Sequence, residues 1–259
     1  MTECIHGLDE ELCDVCAPRQ TIQVQDPVPP ARKATPARRA PVRAPGAKRA
    51  PAATDPLPDI DLATMRVHHW THLSNLEGIL SAGIIRSDAS PELDVSSADA
   101  REKRAAVTLP DGSTAAEHVP FALSPDAATW DEVRKGAEGD RWSAAARGTR
   151  PTDFVILVAP VSALGDSFVV ADGDATAPLT RFAAGLSEGG PLVRRASLAD
   201  PELLGVEILV PGSFDLDALT LIGVPNDRVR DQVKALVKQA GGVVPRVAIY
   251  PPWFRPSED

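Results

Sequence analysis

The chain has 259 residues, a formal net charge of −9 and 43% hydrophobic side chains, enough for one sizeable domain with an appendage or for two small domains. No apolar run reaches the length of a membrane span and no charged start with an apolar core marks a signal peptide, so the sequence reads as soluble, cytoplasmic and without a membrane partner. Residues 17–58 carry eight basic against two acidic side chains, a net of +6, so the remainder sums to −15; the basic stretch can attract polyanions, and the acidic bulk repels them except where a groove is locally positive.

All three cysteines lie in the first sixteen residues, where Cys4, His6, Cys13 and Cys16 follow a C-x-H-x6-C-x2-C spacing. Three sulfurs and one imidazole make a tetrahedral set of the kind structural zinc takes, and four protein ligands would close the coordination sphere to catalysis. The alternative is a frayed terminus with incidental cysteines; the lack of cysteine elsewhere favours the metal set, and residues 1–17 read as a zinc knuckle. Residues 18–58 form a Pro/Ala/Arg-rich linker, since ten of the 25 prolines fall between 17 and 58 and that composition buries no core. Its basic side chains either help hold nucleic acid or simply keep a spacer solvated. The folded domain is expected over 59–256.

That domain opens with three of the five histidines, His68, His69 and His72, at the end of an apolar strand. Ser74 and Glu77 have the S-x-x-E spacing of a capping box, Leu76, Ile79 and Leu80 recur at helical spacing, and Gly83 supplies the stop. His72 and Asn75 thereby come to a helix N-terminus, whose free N–H groups suit a polar or anionic ligand. Residues 94–104 are charged loop or short helix, and 119–124 a short strand. Trp130 and Trp142 are packing anchors in the polar stretch 126–150. Residues 154–160 (FVILVAP) are a buried strand, 168–170 a further strand, 171–175 an Asx/Gly turn, and 179–186 a helix. In 205–211, Glu207 stands inside an apolar strand; it either faces solvent from the strand or is functional, because a buried carboxylate without partners is costly. Strand 219–224, helix 227–239 and strand 243–250 close the domain as β-α-β. Neither G-x-G-x-x-G nor G-x-x-x-x-G-K-[ST] occurs.

The ordered set Thr71-His72-x-x-Asn75-Leu76, Ile79-Leu80, Gly83-Ile84, Arg104, Val119-Pro120-Phe121, Phe168 with Asp172-Gly173-Asp174-Ala175 and Thr180-Arg181-Phe182, Val206 to Val210, and Val247 with Pro251-Pro252-Trp253-Phe254 resembles the DarT family of DNA ADP-ribosyltransferases, which belong to toxin–antitoxin and anti-phage systems. The resemblance implies an α+β ADP-ribosyltransferase fold with two small, mainly antiparallel sheets around an NAD cleft. It implies NAD as substrate, held by Thr71, His72, Asn75 and Arg104, and Glu207 and Arg104 as catalytic residues. It also implies thymidine-type bases of single-stranded DNA as acceptor and a macrodomain-type antitoxin as partner; the oligomeric state is open, and nothing in the sequence argues against a monomer. The sequence departs from the family pattern on the DNA side: Ala122 to Ala128 lacks an arginine, and Gly205 stands where a glutamine is usual. The alternatives are a transferase with a protein, RNA or nucleotide acceptor, or a non-catalytic zinc-knuckle protein that binds nucleic acid.

Overall fold

The structure, a computed structural model, describes residues 58–241 and 245–257, which fall within one unit, residues 54–259. Cys4, His6, Cys13 and Cys16, and the linker up to residue 57, lie outside the described residues. In chain order the elements are β1 (Arg66–His72), α1 (Leu73–Ala82), β2 (Ile84–Arg86), α2 (Ala98–Ala106), β3 (His118–Ala122), α3 (Ala128–Arg134), α4 (Ala144–Arg147), β4 (Phe154–Pro160), β5 (Val169–Ala171), β6 (Phe182–Ala184), α5 (Gly185–Ala196), β7 (Glu207–Pro211), β8 (Ser213–Asp215), β9 (Leu221–Val224), α6 (Asp227–Ala240) and β10 (Arg246–Ile249).

Eight strands form one sheet in the order β10-β9-β4-β1-β3-β7-β5-β6, and β2 pairs with β8 apart from it. Every neighbour in the large sheet is antiparallel except β9 and β10, which run parallel across the α6 crossover. The large sheet has a seam. β1 pairs with β4 along its full length, but with β3 only at His68↔Ala122. The expected two small sheets are therefore two four-stranded halves meeting at one residue pair, with β2–β8 as a separate ribbon. Pro120 has no N–H to give to a neighbouring strand. The imidazoles of His68 and His69 fill in, each donating from Nδ1 to a β3 carbonyl, Ala122 O at 3.4 Å and Pro120 O at 2.9 Å.

Side chains alternate across the sheet. One face carries the main core, with Val67, Phe121, Val155, Leu157, Val170, Ile208 and Ile222 packed against α1, α5 and α6. The opposite face carries two smaller clusters. One gathers Ala122, Trp130, Trp142, Phe154 and Ile156, and the other Leu109, Ala115, Val169, Ala175 and Leu209. The first extends from β4 over the seam to Ala122 of β3, and the second lies over β5 and β7.

Two local expectations change. α1 begins at Leu73 with His72 as N-cap, its Nδ1 accepting from Ser74 N at 3.2 Å, so Ser74 and Glu77 do not form the capping box. Gly83 does end it, in the left-handed region at φ 69°. Residues 179–186 are not a helix: Asp172 closes a loop by accepting from Arg181 N and Nε at 2.8 Å each, and β6 follows before α5 starts at Gly185. α5 carries Gly189, Gly190 and Pro191 in its interior, against propensity. A Cβ at Gly189 would come within 2.4 Å of Val170 Cγ2, so glycine is what lets the helix lie against β5.

Candidate active site

Glu207 is the first residue of β7, with Ala122 of β3 on one side and Ala171 of β5 on the other. Residues paired across a ladder point the same way, so His68, Ala122, Glu207 and Ala171 make one row over the seam, on the face that carries the two smaller clusters. The alanines are the small ladder neighbours of the carboxylate, whose side chain is only 12% exposed. The outward-facing reading of Glu207 is thus excluded. Its partner is Arg104, on α2, which donates from Nη1 to Glu207 Oε2 at 3.3 Å and from Nη2 to Ala115 O at 3.3 Å. The helix that delivers Arg104 is capped by Ser97, whose Oγ accepts from Ala100 N at 3.1 Å.

Burial pushes the Glu207 carboxyl above its ordinary value; Arg104 opposes this, Asp174 adds to it, and Arg141 opposes it more weakly. Asp174 is itself held below the usual carboxylate range: burial works against ionisation, but the Thr176 amide and hydroxyl and the Arg141 guanidinium outweigh it. Arg141 is paired with Asp174, stands 3.6 Å from Glu132, and lies with its Cζ 5.9 Å from the Trp142 ring centroid. Glu207, Arg104, Asp174 and Arg141 thus form one electrostatic group drawn from four places in the chain.

Thr71, His72 and Asn75 form a different group, at the junction of β1 and α1. Asn75 donates from Nδ2 to Thr71 Oγ1 at 3.2 Å and to Leu93 O at 2.9 Å, while its Oδ1 accepts from Leu93 N at 2.8 Å. Both ends of the amide are engaged, and its main effect is to tie the segment around Leu93 to the helix start. Because His72 Nδ1 accepts at the helix cap, its proton resides on Nε2, and burial holds the imidazole below its ordinary proton affinity despite Asp153 and Glu92. His72 lines a groove of about 490 Å³ with Ser74, Glu77, Asp153, Arg228 and Gln232. By alternation Thr71 points to the face opposite Glu207, and His72 to the same face, four residues along β1 from His68, or about 13 Å at strand rise.

The structure therefore brings Glu207 and Arg104 into contact and places Thr71, His72 and Asn75 in a second cluster. The sequence pattern marks Asp174 only as a turn residue and gives Arg141 and Glu132 no role. The Asp172–Ala175 turn was the available signal for Asp174. Nothing local marks Arg141. Among the described residues, no group of three or more His, Cys, Asp or Glu side chains could hold a metal, and no helix is long and apolar enough to cross a membrane.

A buried glutamate beside an arginine, in a seam between two half-sheets without a glycine phosphate loop, is compatible with the ADP-ribosyltransferase arrangement that the resemblance implies. The family profile described as ssDNA thymidine ADP-ribosyltransferase, DarT, matches residues 68–195 and 204–255. A relative from Thermus sp. (strain 2.9) named DNA ADP-ribosyl transferase is 29% identical over 203 residues, covering 73% of this chain and 95% of its own. Thermus sp. 2.9 DarT in complex with NAD+ superposes with a TM-score of 0.60 at 25% identity, over 77% of this chain and 100% of that one. The same protein with ADP-ribosylated ssDNA gives a TM-score of 0.62 at 24% identity, over 74% and 96%. The chain belongs to the DarT family and is an ADP-ribosyltransferase of that kind.

Proposed function

We propose that this chain transfers ADP-ribose from NAD to a thymidine base in single-stranded DNA, with Glu207 and Arg104 as its catalytic residues. The observation that carries the reading is the Arg104–Glu207 pair buried at the seam. In the reaction the bond from ribose C1′ to nicotinamide breaks, nicotinamide leaves, and a thymine nitrogen bonds to C1′ as it gives up its proton. Positive charge grows on the ribose, and a carboxylate in a site shielded from water stabilises it far more than one in bulk solvent. Burial also raises the proton affinity of Glu207, which suits it to receive the thymine proton. Arg104 donates N–H groups to phosphate or base oxygens. A base must be unstacked to reach such a seam, which favours single strands.

In this reading His72 grips NAD, and Thr71 and Asn75 support that grip by fixing the β1–α1 junction. The span of about 13 Å from His68 to His72, at strand rise, suits an extended dinucleotide whose nicotinamide ribose lies at Glu207. His72 would then offer Nε2–H to the far end, and Asn75 would act by fixing the helix start. A thymidine-modifying enzyme of this kind is a toxin or anti-phage effector in the cytoplasm, held in check by a macrodomain-type antitoxin. The Cys4, His6, Cys13 and Cys16 set binds structural zinc, with residues 18–58 as a basic linker and 59–256 as the transferase domain.

Incubating the full chain with labelled NAD and a panel of acceptors tests this. Label is expected on thymidine-containing single strands and absent from duplexes, thymidine-free strands, RNA and protein, and Glu207→Ala should abolish it. Label on protein or RNA instead would overturn the acceptor assignment. Metal analysis of the purified chain should find zinc that is lost in Cys13→Ala; its absence from the parent removes the knuckle.

A further inference from the structure

Beside Glu207 stands a second ion pair, Arg141–Asp174, whose members come from two loops on either side of the seam. Arg141 belongs to a short strip, residues 140–143, laid against residues 94–97. Ser97 N donates to Arg141 O at 2.9 Å, Ser97 Oγ to Asp140 O at 2.6 Å, Ser143 N to Val95 O at 2.8 Å, and Ser96 bridges Trp142. Residue 97 is the N-cap of α2, so this strip is the platform from which Arg104 is launched. Asp174 belongs to the loop between β5 and β6, which starts one residue after Ala171, the ladder partner of Glu207. That loop is closed on itself: Thr176 N and Oγ1 donate to Asp174 Oδ1 at 2.8 Å each, and Thr180 Oγ1 donates to Asp174 O at 2.6 Å. Trp142 Nε1 donates to Glu132 Oε2 at 2.8 Å, and the same carboxylate faces Arg141 Nε, which ties the strip to α3 as well.

We propose that Arg141 and Asp174 are positioning residues of the transfer site: their ion pair fastens the β5–β6 loop to the strip that launches α2, and so holds Arg104 against Glu207. The inference rests on the functional reading above and adds two residues that it does not use. The pair has an electrical consequence as well as a mechanical one. The charged groups that act on Glu207 are Arg104 from α2, Asp174 from the β5–β6 loop and Arg141 from the α3–α4 connection. Asp174 and Arg141 act with opposite sign, so each partly offsets the other, and removing either one exposes the other.

The test is reciprocal. Arg141→Gln leaves the Asp174 charge uncompensated and should move the acid limb of the pH profile of kcat/KM to higher pH by roughly half a unit or more, with kcat reduced. Asp174→Asn should move it to lower pH, again with reduced kcat. The double variant should return the limb towards the parent's position while kcat stays low, because the fastening is gone although the charges balance. Carbon-13 NMR titration of the Glu207 carboxyl reads the same opposite shifts without turnover. A parent that transfers nothing overturns the functional reading, and the NMR titration still decides the inference. Unchanged midpoints in both single variants, or shifts in the same direction, overturn the inference. Arg141→Lys keeps the charge and guards against misfolding of the glutamine variant: a parent-like midpoint with reduced kcat is expected, and a fully parent-like enzyme rules out positioning by the guanidinium.

Discussion

Two polar clusters flank β1, and they are assembled in different ways. Around Glu207, charged groups from α2, two loops and β7 meet in a seam, and the Arg104–Glu207 contact joins residues 103 apart in the chain. At the other end of the strand, Thr71, His72, Ser74 and Asn75 lie within five consecutive positions and satisfy one another through one β–α junction. The first cluster holds a carboxyl whose proton affinity burial raises, which is a burden on stability and an asset to chemistry. The second spends its polar atoms on starting a helix. Activity and stability should therefore separate at Glu207 and be entangled at His72.

Glu207→Gln is the sharpest way to break that contrast. It keeps the shape and a partner for Arg104 but removes the carboxylate, and activity should fall by about 10²- to 10⁴-fold. The stability effect has the opposite sign. Because the folded-state value of Glu207 is raised from its ordinary 4.5, the stabilisation it gives as a neutral acid is full below that value and is lost as pH rises through the folded value. The glutamine variant should therefore be at least as stable as the parent at pH 7 in urea denaturation, and that advantage should vanish towards pH 4. A less stable variant at pH 7 would mean that the ion pair with Arg104 outweighs burial.

The junction was readable from sequence because its parts are neighbours. The strand, the apolar spacing and the stop at Gly83 all lie within one short stretch; only the identity of the cap shifted, since an imidazole can replace the hydroxyl that the S-x-x-E spacing suggested. The seam was not readable in the same way. A glutamate in an apolar strand is ambiguous until the neighbouring strands are known to carry alanine beside it. Asp174 looked like a turn residue, and it is one; its second role depends on Arg141, which nothing in the local pattern ties to it. α5 was missed because Gly189, Gly190 and Pro191 argue against a helix, whereas close packing on Val170 requires the glycine.

A smaller effect separates structural from reactive histidines. His68 donates to Ala122 O at the seam and packs edge-on to Trp253, with ring centroids 5.7 Å apart. Burial lowers its pKa to about 4, with only partial relief from the Ala122 carbonyl. A depressed folded-state value gives stability that is present above the unfolded 6.5 and is lost as pH falls from there towards about 4. The loss is on the order of 3 kcal/mol at most. Protonation of Glu207 pulls the other way over the same acid range, so the parent's pH profile alone does not isolate either group. The difference between parent and His68→Gln does: it should shrink from pH 7 to pH 4.5 in denaturant unfolding. A constant difference would mean that His68 is solvated enough to titrate normally.

The smallest effect probes the junction itself, where cap and ligand contact share one side chain. His72→Ala removes the acceptor for Ser74 N and should lower stability by about 1 kcal/mol, the usual magnitude for an N-cap. It should also raise KM for NAD if Nε2–H reaches the dinucleotide, but a weakened helix start could do that indirectly by displacing Asn75 and the Leu93 segment. His72→Asn separates the two. Asparagine is among the best N-caps, so thermal unfolding should return close to the parent value, whereas the short amide cannot reach into the groove where Nε2 now lies. KM for NAD should then stay raised several-fold in the asparagine variant, with kcat near that of the parent because the Arg104–Glu207 seam is untouched. A KM restored together with stability would leave His72 as a cap alone, and would place the grip on NAD entirely within the seam.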